Sequence, residues 1–204
     1  MNKISIFSPP IPPAGDAPGP VENGLRATEG TLRVVVAPHA AQLQMLELAA
    51  RLAVLGSIRV LDGGNQFNPL PVARAIRRLT LELEPALAGI RISRAFTCYQ
   101  VLALLEQEPT QNRPVLVLDL LATFYDESVP LPEASRLLRA CLVHLRRLSA
   151  GAPVVVSARP PKPVCAERQV LLDELRSSAP LLSEWEEEEF YPQIKTDNAD
   201  KNHR

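Results

Sequence analysis

Apolar and polar positions follow one another along this chain in two rhythms. "TLRVVVA", residues 31–37, is a nearly unbroken β-branched run, the pattern of a strand buried on both faces. In "HAAQLQMLELAARLAVLG", Leu43, Leu46, Ala50 and Ala53 return at helical spacing and Gly56 marks the stop. "SIRVLDGG" predicts a second strand ending in a glycine turn, and "NPLPVARAIRRLTLELEPAL" a helix after Pro71. "IRISRA" predicts a short third strand and "TCYQVLALLEQE" a helix closed by Pro109. "RPVLVLDLLATFYDE" reads as a fourth strand with Asp119 at its carboxyl end. "LPEASRLLRACLVHLRRLSAG" is a long helix with Pro132 in its first turn and Gly151 past its end. "APVVVSARPP" gives the fifth strand, and "ERQVLLDELRSSA" a last helix. This alternation predicts an α/β fold with right-handed crossovers and a parallel sheet.

The rhythm fails at both ends. Residues 1–30 are rich in Pro and Gly and read as a flexible arm, followed by an α/β domain over residues 31–180 and an acidic, then polar tail over residues 181–204. In the arm, Phe7 beside Ile4 and Ile6 forms the sizeable apolar cluster, either disordered or a short peptide for a neighbouring subunit. In the tail, a glutamate run is flanked by Trp185, Phe190 and Tyr191. It reads as a solvated tail, a partner-binding peptide or a final strand laid on the sheet.

Composition narrows the classes. With 204 residues, 46% of them hydrophobic, and a net charge of -1, the chain can bury one domain's core. That charge gives no general pull towards nucleic acid, though local basic patches remain. Aromatics are 4%, so the core rests on Leu, Val, Ile and Ala. Cys98, Cys141 and Cys165 form no CxxC pair and read as reduced thiols of a cytoplasm-like compartment. Cys141 and His144 stand one helical turn apart, but two ligands fall short of a zinc site, and no metal or cofactor is expected. Prolines near the start break any secretory helix, and no apolar run is long enough to cross a bilayer. The expectation is a soluble cytoplasmic protein (nuclear in a eukaryote) without a membrane partner.

Four segments taken together resemble the core of the RecA/RadA-type recombinase ATPases, over roughly residues 31–161. "LELAARLAVLGSIRVLDGGNQFNP" resembles the family's phosphate-loop helix and the strand that ends in an Asp-Thr-Glu-Gly-x-Phe turn. "RAFTCYQVLALLEQ" resembles its next strand–helix junction, "PVLVLDLLATFYDES" its Walker B strand, and "APVVVSARP" the strand that in the family ends Thr-Asn-Gln. The resemblance implies a RecA-like P-loop NTPase fold: three α/β/α layers around a mainly parallel sheet of five or slightly more strands, in the order 3-2-4-5-1.

The departures from the family fall on its chemistry. A phosphate loop needs glycines so that backbone N–H groups can wrap the phosphates, a Lys for the outer phosphates and a Ser or Thr for Mg²⁺. Here the turn is Pro38-His39-Ala40-Ala41-Gln42. Ala41 takes the Lys position, Gln42 the Ser/Thr position, and Pro38 removes a donor. The family's water-polarising glutamate becomes Gly64, and its terminal Gln becomes Arg159; Asp119 of the Walker B strand remains. Phosphoryl transfer depends on positioning and electrostatics, so no catalytic residues are assigned. Asp62 and Asp119 share a metal on one reading, and cap loops or pair with arginines on the other. The positive end of the helix starting near His39 offers at most a weak anion site.

Strands beyond the first are also expected from the resemblance, yet little sequence remains for them after Pro161. An apolar first strand at a sheet edge is a pairing hazard, so the tail, the arm or another chain should cover it. Arginines cluster at Arg74, Arg77 and Arg78, and at Arg136, Arg139, Arg146 and Arg147. Arg159, Lys162 and Arg168 occupy the place of the family's second DNA-binding loop, a candidate contact for DNA or a partner. Three functions follow as expectations. The first is a non-catalytic RecA-like paralogue, an interaction scaffold or accessory factor in DNA recombination and repair, partnered by a RecA-like ATPase or by itself. The others are a nucleotide-binding protein or weak ATPase with an atypical loop, and an α/β regulatory module unrelated to DNA.

Overall fold

A computed structural model describes residues 31–184. The arm with Phe7 and the tail residues Trp185, Phe190 and Tyr191 lie outside that range. In chain order the elements are β1 (Leu32–Val36), α1 (Gln42–Leu55), β2 (Ile58–Asp62), α2 (Pro69–Leu79), α3 (Leu83–Ala88), β3 (Ile90–Arg94) and α4 (Cys98–Gln107). They continue with β4 (Val115–Leu118), α5 (Leu131–Ser149), β5 (Val154–Ala158), α6 (Gln169–Ser178) and β6 (Leu181–Glu184). The six strands form one sheet in the order β3-β2-β4-β5-β1-β6, and every pairing is parallel.

Both faces are covered, and each has its own core. Val34, Val117, Val156 and Leu61 point into a cluster with Leu105, Leu138, Leu142 and Leu172 from α4, α5 and α6. The alternate residues Val35, Val60, Leu116 and Val155 meet Met45, Leu46, Ala49 and Ile76 from α1 and α2. That two-sided burial is why the strands read as continuous apolar runs rather than as alternating ones. Two helices begin on side-chain caps: Asn68 Oδ1 accepts from the Leu70 N–H at 3.0 Å, and Thr97 Oγ1 from the Gln100 N–H at 3.2 Å. Each such cap is worth about 1 kcal/mol.

Three sequence expectations need correction. The five expected strands lie in the expected order, and a sixth, within the expected five or slightly more, covers the free side of β1, pairing Arg33 with Leu181 and Val36 with Glu184; it is the tail boundary that moves. The sheet therefore takes in residues 181–184, assigned to the tail on sequence, because two leucines suffice for a short strand beside an existing one. The helix expected from near His39 starts at Gln42, since the residues before it have left-handed backbone. Leu43, placed on the buried stripe, is 58% exposed; α1 instead packs through Met45, Leu46, Leu48, Ala49, Ala50 and Ala53.

Candidate functional site

The carboxyl ends of β1, β2, β4 and β5 bring Pro38–Gln42, Asp62–Gly64, Asp119 and Arg159 together at one edge of the sheet. This edge is where open α/β sheets place their ligands.

The turn after β1 is a single 3₁₀ turn, Pro38–Ala41. Within it His39, Ala40 and Ala41 all have positive φ, at 50°, 54° and 51°. For residues carrying a Cβ this costs about 1–2 kcal/mol each. The turn directs itself inward. The Ala40 N–H donates to the Ala37 carbonyl at 3.0 Å, the Gln42 N–H donates to the His39 carbonyl, and Pro38 has none to give. The methyl groups of Ala40 and Ala41 are fully buried, Ala41 against the α1–α2 core. His39 is exposed. The Gln42 amide reaches away from the turn and donates to the Gln66 carbonyl at 2.7 Å, tying the β1 and β2 loops together.

Asp62 is buried and fully engaged. Its Oδ1 accepts from the Gln66 N–H at 2.8 Å, and its Oδ2 from the Phe67 N–H at 3.0 Å and from Arg94 Nε at 3.2 Å. It thus closes the β2–α2 loop and pairs with an arginine, the structural alternative to metal sharing. Among the described residues no group of three His, Cys, Asp or Glu is placed to hold a metal ion.

Asp119 is also buried and also paired. Its Oδ2 lies 3.3 Å from Arg159 Nε and 3.4 Å from Gln66 Nε2, while Oδ1 has no partner among the described residues. Burial pushes this carboxyl above its ordinary value; the Arg159 charge and the Gln66 amide pull it back. Its backbone is left-handed at φ 49°, a region Asp tolerates better than most residues, and its N–H donates to Ser157 Oγ at 3.0 Å. Tyr125, on the loop after β4, donates its hydroxyl to the Arg159 carbonyl at 2.9 Å. Burial raises that phenol's pKa.

Gly64 is explained by the same contact. A Cβ there would stand 2.5 Å from Asp119 Cβ and 2.6 Å from its Oδ2. The position aligned with the family's glutamate thus has no room for any side chain while Asp119 keeps its place. Beneath the β2 end lies a void of about 10 Å³, lined by Leu61, Asp62, Gly63, Ala95, Val101 and Val117 among others. It is at the lower limit for one water, and its lining is almost wholly apolar although Asp62 borders it.

The candidate DNA or partner loop is not a uniform basic surface. Arg168 is 3% exposed and donates to the Phe124 and Val129 carbonyls, each at 2.7 Å, so it braces the β4–α5 loop and has no access to a ligand. The physical reason is the short 3₁₀ turn Pro163–Arg168, which rolls that end of the loop back onto the core. Arg159 is held by Asp119, and Lys162 is exposed. Elsewhere, Cys98, Cys141 and Cys165 are free and buried, and burial pushes the Cys141 thiol up to about 12.

Sequence reading missed Gln66, Arg94, Ser157 and Tyr125. Arg94 had a signal, since it ends a strand on the carboxyl side of the sheet. Gln66 and Tyr125 had none, because loops of unpredictable path deliver them. No known family model matches the chain, and no curated protein is significantly similar to it.

Proposed function

We propose that the chain is a non-catalytic, RecA-like relative of the recombinase ATPases, acting as an interaction scaffold or accessory factor in DNA recombination or repair. The observation that carries this reading is Ala41. The residue aligned with the phosphate-gripping lysine is a fully buried methyl on an inward-turned loop, beside two carboxylates each engaged by an arginine. Such a turn offers a triphosphate neither a cation nor a ring of amides. The parallel order β3-β2-β4-β5-β1-β6 contains the family's order and is compatible with the resemblance. With Arg168 buried and Arg159 paired, contact through a protein partner is favoured over direct DNA binding by this loop.

Thermal shift with Mg²⁺-ATP is the first test, because a ligand of the native state must raise the melting temperature. The expected result is no shift at millimolar nucleotide, together with recovery of a RecA-like ATPase when the tagged chain is isolated from its native source. A saturable rise in melting temperature, or ATP turnover by purified material, would overturn the reading.

A further inference from the structure

Helix α2 carries an outer face that stays exposed among the described residues. At 3.6 residues per turn, Leu70, Arg74, Arg77 and Arg78 fall within an arc of about 100°, and all four are exposed. Leu70 is 66% exposed, and Leu81, just past the helix end, is 100% exposed. The helix contains no acidic residue. Arg78 pairs with Glu47 at 2.9 Å, whereas Arg74 and Arg77 make no ion pair among the described residues. A nucleic-acid backbone would satisfy the arginines but leave both leucines in water. A ligand with carboxylates and apolar rings in one short segment would satisfy both.

The chain itself contains such a segment. The sequence at residues 184–191 is "EWEEEEFY", five glutamates framed by a tryptophan, a phenylalanine and a tyrosine. We propose that this segment docks on the α2 face of a second copy of the chain, giving head-to-tail self-association. Topology selects the second copy over the same one. The described chain ends at Glu184 on β6, at one edge of the sheet, while α2 follows β2 and leads towards β3 at the other. Four strand spacings of about 4.8 Å put β6 about 19 Å from β2, the strand that α2 follows, and the helix layer adds about 10 Å. Glu186 to Glu189 lie within five residues of Glu184, a reach of at most about 17 Å. The acidic run therefore falls short of its own α2. Because the contact joins two different surfaces, successive copies can chain head to tail, while reciprocal exchange of tails between two copies closes the same contact as a two-fold dimer. The inference uses charge and topology alone and does not depend on the RecA-like reading.

Sedimentation velocity of the full chain at low salt is the test. The weight-average mass should rise with protein concentration and fall back towards that of the monomer as salt is added. Deleting residues 185–204, or introducing R74E, R77E and R78E together, should weaken association on the order of tenfold. To separate docking from general damage, the α2-reversed chain is mixed with one carrying E186R, E187R, E188R and E189R. Each is expected to be weakened alone, and the mixture to regain the complex. A chain that is monomeric at all concentrations, an association untouched by tail deletion, or a mixture that forms no complex would refute the proposal. So would single-stranded oligonucleotide binding lost with R74E, R77E and R78E while self-association persists.

Discussion

The contact between Gly64 and Asp119 gives the sharpest quantitative handle on the site. In Gly64→Ala the new Cβ falls about 0.9 Å inside the 3.4 Å limit of ordinary contact with Asp119 Cβ, and nearly as far inside for Oδ2. Asp119 is fully buried and its N–H is held by Ser157, so it has no solvent to swing into. Overpacking of this kind costs about 1–3 kcal/mol. The upper half of that range applies, because the clashing oxygen is the one facing Arg159. In Asp119→Gly the clashing side-chain atoms are gone and the positive φ suits the new residue. There Gly64→Ala should cost less than about 0.5 kcal/mol, leaving a coupling energy of about 2 kcal/mol across the double-mutant cycle. Urea unfolding followed by circular dichroism measures all four corners, provided the m-value stays constant. Equal cost of Gly64→Ala in both backgrounds would refute the packing described here.

Three further predictions bear on neighbouring features. Asp119 has a folded pKa above its ordinary 3.8; its relative contribution to stability is therefore present below that value and lost as pH rises through the folded one. Asp119→Asn, which carries no charge, should thus gain stability relative to the parent as pH rises in urea titrations between about pH 3 and 8, and a variant that instead falls further behind the parent would contradict this. Arg168→Ala should destabilise by about 3 kcal/mol, since two buried carbonyls lose a charged donor, while Lys162→Ala should stay within about 0.5 kcal/mol in the same unfolding assay. His39→Gly relieves one left-handed residue on an exposed side chain. It should stabilise by up to about 1 kcal/mol, or roughly 2–4 °C by calorimetry, and an unchanged or lower melting temperature would count against the turn geometry.

Much of the architecture was legible because burial on two faces leaves a plain mark on sequence. Val34–Val36 and Val154–Val156 could hardly be anything but interior strands. β6 was hidden because a short edge strand needs only Leu181 and Leu182, a pattern common in loops. The site was half legible. Asp62, Asp119 and Arg159 announced themselves by ending strands, but their pairing with Arg94 and Gln66 depends on how two loops fold over each other. The left-handed run at His39–Ala41 had almost no signal, since Ala disfavours that region, a single His marks it only weakly and no glycine stands there. Arg168 was misread because charge in a loop suggests exposure, whereas the turn that carries it folds inward.

The sheet order also governs how the chain comes off the ribosome. Among the described residues β1 is made first, yet it finds its neighbours only when Val154 and Leu181 have been synthesised, because Leu32 meets the one and Arg33 the other. While residues 37–153 are being made, this β-branched run waits without its hydrogen-bonding mates. Such late, non-local closure slows folding and exposes the nascent chain to misassembly, so a chaperone that shelters this run has more to act on during synthesis than after it.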